Sequence, residues 1–168
     1  EIITNAHFTN ALNDLADCDL IIEAIVEKLE IKQQVFSQIE KLVKKTCLLA
    51  SNTSSLSITS IASVCERPEN VIGIHFFNPA TLMPLVEIIP GVATNSEIVK
   101  PIKQLIDSWG KVTVIAKDTP GFIVNRVARP FYSEALRIAD EQIADYATID
   151  WAMKEIGGFK MGPFELMD

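Results

Sequence analysis

Residues 19–51 read DLIIEAIVEKLEIKQQVFSQIEKLVKKTCLLAS, and this stretch decides the fold class. It opens with an apolar run between acids at 19–24, which predicts a buried strand. Apolar residues then recur with helical spacing over 28–45, opposite a charged face, which predicts an amphipathic helix. A second apolar run at 47–50 predicts the next strand. A strand, a helix and a strand in this order indicate a βαβ unit and a parallel sheet.

The same alternation continues to residue 117. Further apolar runs predict three more strands, at 71–77, 85–89 and 112–116. Short helices are predicted at 9–17 and 58–64. A longer helix is expected to begin at the capping residues Asn95 and Ser96 and to end near Trp109, before Gly110. The predicted fold class is therefore α/β with a mostly parallel sheet.

The pattern changes at residues 117–121, which read KDTPG. Thr119 as N-cap and Pro120 at the first helical position predict a long helix that runs to about residue 141. A second helix, with Thr148 as candidate cap, is predicted to end at 157–158, and residues 161–163 are interpreted as a loop. Strand patterns stop at 117, so we predict an α/β part at 1–117 and a helical part at 118–168.

Composition excludes several classes of protein. The chain has 168 residues and a net charge of -7, which argues against nucleic-acid binding. No apolar run approaches a membrane span, and no signal segment opens the chain. Three cysteines, an odd number without metal-ligand spacing, predict reduced thiols in a cytoplasmic protein, and two histidines disfavour a metal site.

Glu87 interrupts the otherwise apolar run 85–89. A buried carboxylate is costly unless it is paired, so we expect a partner. His75, in the preceding apolar run, is a candidate, because a carboxylate on one ring nitrogen makes the other nitrogen a better base. Two alternatives stay open: a core histidine bonded to a backbone carbonyl, and an edge strand with Glu87 in water.

Other polar residues lie where ligands bind in open parallel sheets. Ser54 follows the carboxyl end of a predicted strand, although a turn would also explain it. Asn125 lies in the first turns of the helix after 120–121, where a ligand carbonyl or hydroxyl, or simple exposure, would account for it. A solvated helix end explains Glu27 and Lys32, and a turn before a proline explains Asn78.

Five segments occur together in one order, namely EAIVE (23–27), SNTSSL (51–56), HFFNP (75–79), KDTPGFIVNR (117–126) and MGPFEL (161–166). With them the chain resembles the L-3-hydroxyacyl-CoA dehydrogenase family, including the 3-hydroxybutyryl-CoA dehydrogenases, over nearly its whole length. The resemblance implies an incomplete Rossmann-like NAD-binding domain at 1–117, followed by the first helices of an all-α domain that binds substrate and supports homodimerisation. The implied reaction interconverts (S)-3-hydroxyacyl-CoA and 3-oxoacyl-CoA with NAD.

The resemblance also implies roles for single residues. His75 would be the general base, oriented by Glu87. Ser54 and Asn125 would hold the substrate oxygen and complete the catalytic set. The implied cofactor-binding residues are Glu27, Lys32, Asn52, Ser54 and Asn78, and the implied substrate-binding residues are Ser54, Asn78 and Asn125.

The chain departs from the family pattern because it contains no G-x-G-x-x-G loop for the pyrophosphate, nor the acidic residue expected after it. Together with Glu1 as first residue, this indicates an internal fragment of a longer enzyme. The alternatives are a related NAD(P) hydroxy-acid dehydrogenase, a non-catalytic acyl-CoA-binding or dimerisation module, and a piece of a multifunctional β-oxidation protein.

Overall fold

A computed structural model describes residues 6–167. The chain divides into two compact units, one up to Phe122 and one from Ile123 onward. The strands of the first unit are β1 (Leu20–Glu23), β2 (Leu48–Ser51), β3 (Val71–Phe76), β4 (Leu85–Pro90) and β5 (Val112–Ile115). Its helices are α1 (Leu29–Leu42), α2 (Ile58–Ala62) and α3 (Ser96–Ser108). The second unit contains α4 (Val124–Asp140), α5 (Tyr146–Trp151) and α6 (Pro163–Met167).

The five strands form one sheet in the order β1-β2-β3-β4-β5. The pairings β1–β2, β2–β3 and β4–β5 are parallel, whereas β4 runs antiparallel to β3. The predicted α/β class with a mostly parallel sheet is confirmed. The one antiparallel pairing arises because only a short loop joins β3 to β4, and parallel neighbours need a longer crossover.

Helices cover both faces of the sheet, because successive side chains of a strand point to opposite faces. On one face Val71 and Ile89 pack with α1 and α2 in a cluster that includes Phe36 and Ile58. The other face carries a second cluster, which joins the sheet to α3. The central strands β3 and β4 are covered on both sides, and such strands read as nearly continuous apolar runs.

Asn95 caps α3 as predicted, since its side chain accepts a hydrogen bond from the amide of Glu97. The helix predicted at 9–17 is wrong in extent, because only a short 3-10 turn forms at Leu12–Leu15. The start predicted for the long helix is also wrong. It begins at Val124 rather than at Pro120, because Gly121 and Phe122 have positive φ angles of 77° and 45°. Left-handed backbone cannot belong to a right-handed helix.

The helical unit differs from the prediction at two further places. Asp145, not Thr148, caps α5, because the Asp145 side chain accepts a hydrogen bond from the Thr148 amide. The segment interpreted as a loop at 161–163 leads directly into α6. The buried carboxylate of Asp150 accepts hydrogen bonds from the amides of Phe164 and Glu165, at 2.8 and 2.9 Å, and so supplies a cap from a distant position.

The helical unit also holds an apolar groove of about 1020 Å³. It is lined by residues of α4 and α5 and by residues 159–166, including Val127, Phe131, Ile149 and Phe159. Val127 is 72% exposed, so much of this lining is open.

Within residues 6–167, no helix is long and apolar enough to cross a membrane. The same residues contain no group of three acidic, histidine or cysteine side chains placed to hold a metal ion.

Candidate active site

The centre of the candidate site is a buried histidine–carboxylate pair. His75 on β3 and Glu87 on β4 lie directly opposite each other in the antiparallel register. His75 Nδ1 is 2.7 Å from Glu87 Oε2, and the two residues are only 5% and 0% exposed. The aromatic rings of Phe77 and Phe122 contact the imidazole at centroid distances of 4.5 and 5.7 Å. The structure thus brings together the two side chains that the sequence nominated, and encloses them among apolar rings.

Geometry defines what this pair can do chemically. When Nδ1 carries the ring proton and donates a hydrogen bond to Glu87, the other ring nitrogen keeps its lone pair. That nitrogen can then accept a proton. The carboxylate also stabilises the imidazolium that would form after such a transfer. The pair therefore has the composition of a general base with its orienting acid.

The loop after β2 carries Ser54 and is held by the carboxylate of Glu27. Glu27 Oε1 accepts hydrogen bonds from the Ser54 amide at 3.0 Å, from the Ser55 amide at 3.3 Å and from the Thr53 hydroxyl. The hydroxyls of Ser54 and Ser55 both lie 3.4 Å from the same oxygen. One carboxylate oxygen thus gathers three consecutive residues of the loop.

Asn52 joins this loop to the strand that carries the histidine. Its Oδ1 accepts a 2.8 Å hydrogen bond from the amide of Phe76, the residue after His75. The side chain predicted to contact a cofactor therefore also fixes the end of β3. Asn78 is exposed in the loop that follows β3.

Glu27 is itself held by a buried lysine. Lys32 Nζ lies 3.4 Å from Glu27 Oε2 and 2.6 Å from Glu23 Oε1. Lys32 is 1% exposed, so direct contact with a ligand would require this cluster to open. Asn125 lies in the first turn of α4, in the helical unit, and is half-buried.

The hydrogen bonds set the ionisation of two carboxyl groups. Burial works to raise the pKa of Glu27, but hydrogen bonds from Thr53 and the Ser54 amide and the charge of Lys32 outweigh it and hold that pKa below its ordinary value. Burial likewise opposes the ionised form of Asp118, and donors from Thr59, Ile58 and Ser57 lower its pKa below the usual range. Both groups are therefore anionic at neutral pH.

Sequence reasoning missed Glu23 and Asp118 as parts of this region. Glu23 carries a weaker signal than Glu87, because it lies at the end of an apolar run, where an acid needs no buried partner. Asp118 gave no comparable signal, because its partners in α2 lie about sixty positions earlier.

Comparison with known families decides the identity of this arrangement. Residues 1–119 match the model of the NAD binding domain of 3-hydroxyacyl-CoA dehydrogenase. Residues 121–168 match the model of the C-terminal domain of the same enzyme. The chain belongs to the 3-hydroxyacyl-CoA dehydrogenase family. NAD is accordingly the cofactor of the matched domain, and the family consists of NAD-dependent oxidoreductases.

Individual relatives agree with this membership. The chain is 51% identical over 157 residues to 3-hydroxyadipyl-CoA dehydrogenase of Escherichia coli K12. The matched region covers 94% of the chain and 33% of that protein. It is 45% identical to 3-hydroxybutyryl-CoA dehydrogenase of Clostridioides difficile, over all of the chain and 60% of that protein. A crystal structure of 3-hydroxybutyryl-CoA dehydrogenase from Escherichia coli superposes with a TM-score of 0.91 at 50% identity, covering 94% of the chain and 34% of that structure. The chain therefore spans between a third and three-fifths of these relatives.

The residues present fit one part of the family's cofactor better than the rest. Ser54 and Asn78 follow the carboxyl ends of β2 and β3, the edge where open parallel sheets bind ligands. Hydroxyl and amide groups there suit a ribose or a nicotinamide amide. The dehydrogenase fingerprint for the pyrophosphate, G-x-G-x-x-G, is absent from the sequence. The chain thus has hydrogen-bonding groups at this edge of the sheet, and its sequence contains no G-x-G-x-x-G loop.

Proposed function

We propose that this chain carries the reactive centre of an NAD-dependent (S)-3-hydroxyacyl-CoA dehydrogenase. The observation that carries the proposal is the buried pair of His75 and Glu87, 2.7 Å apart, in a chain of this family. The reaction converts (S)-3-hydroxyacyl-CoA and NAD+ to 3-oxoacyl-CoA, NADH and a proton. When bound, NAD accepts the hydride from C3 of the substrate.

His75 is the general base in this proposal. Its free ring nitrogen takes the proton of the substrate 3-hydroxyl as the hydride leaves C3, so that a carbonyl forms and both bonding electron pairs are accounted for. Glu87 is the positioning residue, because it keeps a proton on Nδ1 and stabilises the charged imidazolium. In the reverse direction the same imidazolium returns the proton to the carbonyl oxygen.

Ser54 and Asn125 hold the substrate oxygen in the proposed mechanism. A hydroxyl and a side-chain amide can each donate a hydrogen bond to an oxygen whose charge grows as its proton leaves. Asn78 and Ser54 lie beside both the acyl-CoA and the cofactor. Glu27 and Asn52 support the cofactor side through the loop that they hold.

The test is acetoacetyl-CoA-dependent oxidation of NADH, followed by nicotinamide absorbance. It is run on this chain and on the full natural polypeptide that contains it. We expect turnover in the full polypeptide and its loss in His75→Ala, whereas His7→Ala, a change at the exposed second histidine, retains it. Absence of turnover in the full polypeptide contradicts the proposal. Equal or better turnover of a free 3-oxo acid would indicate a related hydroxy-acid dehydrogenase instead.

We also propose that the helical unit pairs with a second copy of the chain. Its apolar groove and the exposed side chains of Val127, Ile143 and Ile156 support this, since large apolar patches mark interfaces. Light scattering over a concentration series checks it, and a constant monomer mass contradicts it.

The free thiols of Cys18, Cys47 and Cys65 support a cytoplasmic setting, where thiols stay reduced.

A further inference from the structure

Apart from the pair of His75 and Glu87, Glu23 and Lys32 form a second buried ion pair in the first unit. Their side chains are 3% and 1% exposed, and Lys32 Nζ lies 2.6 Å from Glu23 Oε1. Every oxygen of Glu23 has a partner, because Oε1 also accepts the Ile25 amide at 2.6 Å and Oε2 accepts the Ser51 hydroxyl at 2.7 Å. Such a pair gains little net stability over an apolar pair of similar volume, so its presence calls for another explanation.

Lys32 contacts a second carboxylate, which reaches out of this buried cluster. Its Nζ is 3.4 Å from Glu27 Oε2 and 3.4 Å from the carbonyl oxygen of Ile25. The Glu27 side chain is 38% exposed, so water alone could satisfy its charge. The lysine therefore does not rescue a buried group at Glu27. It holds the second oxygen of a carboxylate whose first oxygen binds the loop.

The other oxygen of that carboxylate holds the Ser54 loop. Oε1 accepts from the amides of Ser54 and Ser55 and from the Thr53 hydroxyl. Glu27 is thus divided, with one oxygen on the lysine and one on the loop. Ser51, at the base of the loop, is tied to the same cluster through Glu23.

We propose that Lys32, paired with Glu23, is a positioning residue for Ser54 that acts through Glu27. The link to catalysis rests on the proposed function, in which Ser54 touches the reacting oxygen. The positioning itself does not, because it is a property of the loop in this chain. A rigid loop would place the Ser54 hydroxyl before substrate arrives, which is where positioning gains rate.

Two variants separate positioning from folding. Lys32→Met leaves Glu23 buried without its cation and should lower stability strongly. The double variant Glu23→Gln/Lys32→Met keeps the side-chain shapes but carries no unpaired charge, so we expect its urea midpoint to return close to wild type. Glu40→Gln is the matched control, because Glu40 is a buried acid on the same helix that instead binds the amides of Glu66 and Arg67.

The first measurement is amide hydrogen exchange of Ser54 and Ser55 in this chain. We expect the double variant to exchange roughly tenfold faster than wild type at these amides, as local opening does, while β3 amides keep their protection. In Glu40→Gln, the exchange rates of the Ser54 and Ser55 amides should change only as much as the global stability of that variant requires. Restored stability together with wild-type exchange at Ser54 and Ser55 would overturn the proposal.

The second measurement is turnover in the full natural polypeptide. In the double variant we expect kcat to fall by roughly 10²-fold, as for a misplaced catalytic group, with a much smaller change in KM. Lost turnover with an undisturbed loop would mean that Lys32 acts directly on a ligand, which also overturns the proposal. If the wild-type polypeptide lacks dehydrogenase activity, the proposed function fails, and hydrogen exchange alone still decides whether Lys32 holds the loop.

Discussion

Asp118 accepts hydrogen bonds from both the amide and the hydroxyl of Thr59, at 2.8 and 2.6 Å. The same carboxylate accepts the amide of Ile58 and the hydroxyl of Ser57. These donors are the first two residues of α2 and Ser57 just before it, so a residue late in the first unit binds the start of a helix that follows the Ser54 loop. Asp118, a few residues before the helical unit, is thereby hydrogen-bonded to the start of α2.

Replacing this carboxylate should destabilise the first unit. In Asp118→Ala the donors at the start of α2 lose their acceptor, and we expect the free energy of unfolding to fall by about 1–3 kcal/mol. Urea unfolding followed by circular dichroism measures the change. Asp17→Asn, at an exposed position, serves as the control and should stay within about 0.5 kcal/mol of wild type. A midpoint for Asp118→Ala equal to that of the control would contradict the prediction.

Acid should act through the same carboxylate. The pKa of Asp118 is lower in the folded chain than its ordinary value of 3.8. Its stabilisation is therefore fully present above the unfolded-state pKa and is lost as the pH falls through the folded-state pKa. We expect wild type to lose stability below about pH 4 more steeply than Asp118→Asn, in which this group no longer titrates. Parallel curves of unfolding free energy against pH would show that Asp118 contributes nothing to acid sensitivity.

Glu87→Gln tests the orienting role of the carboxylate with little change in shape. The amide can donate a hydrogen bond to Nδ1 and so favours the wrong tautomer of His75. We expect kcat of the full natural polypeptide to fall by up to roughly 10⁴-fold, as in the serine-protease triad when the acid becomes an amide. KM should change little. Glu97→Gln, at an exposed acid on α3, is the control, and a kcat within twofold of it would contradict the assignment.

Gly73 permits the close approach of α2 to the histidine strand. A Cβ at this position would lie 2.8 Å from Ile58 Cδ1 and 2.9 Å from Ile89 Cβ, inside a fully buried core. We expect Gly73→Ala to cost about 1–3 kcal/mol of stability, as overpacking does. Since Ile58 contributes much of the clash and Ile89 the rest, the double variant with Ile58→Ala should lose less than the two single losses added together. Strict additivity of the two losses in urea unfolding would count against a steric origin.

Gly110 offers a contrasting case because its conformation, rather than its surroundings, requires glycine. Its φ is +79°, and a Cβ there would meet no described atom within 4 Å. Gly110→Ala should therefore cost roughly 1–2 kcal/mol from left-handed strain alone. In contrast to Gly73→Ala, this loss should be unaffected by Ile58→Ala. A dependence on Ile58 would show that the strain argument is wrong.

Sequence patterns predicted the features that depend on local order. All five strands are mostly apolar runs, and each was predicted to within one residue at either end. Glu87 stood out because an acid inside such a run demands a partner, and the antiparallel register supplies His75. The orientation of β4 itself was not predicted, because strand direction depends on how the connecting loop returns.

Features that depend on distant partners were not predictable in this way. Lys32 lies on a helix whose charged residues suggested a solvated face, and its burial results from Glu23 and Glu27, which precede the helix. The α6 helix was missed because its cap, Asp150, lies fourteen positions before Phe164. In each case the decisive contact joins residues that no local period connects.

NAD should bind weakly to this chain alone. The sequence contains no G-x-G-x-x-G loop, and the amides of such a loop at a helix N-terminus supply much of the affinity for a pyrophosphate. Isothermal titration calorimetry of the isolated chain should give a dissociation constant well above the micromolar range. Nicotinamide mononucleotide, which lacks the adenylate half, is the informative comparison, since we expect it to bind about as well as NAD. A micromolar constant for NAD would contradict this expectation.

Cys65 should resist alkylation in the folded chain. Burial, followed by the negative charge of Glu40, raises the pKa of this thiol to about 12. Because the thiolate is the reactive form, a shift from 9.0 to about 12 lowers its population at neutral pH by roughly 10³-fold. Timed iodoacetamide labelling at pH 7.5, read by peptide mass spectrometry, should therefore modify Cys65 only after urea is added. Labelling of all three cysteines in urea is the control for reagent activity. Equal labelling rates of Cys65 with and without urea would contradict the burial of this thiol. They would also contradict the packing of the neighbouring ion pair, in which Arg67 Nε lies 3.3 Å from Glu40 Oε1.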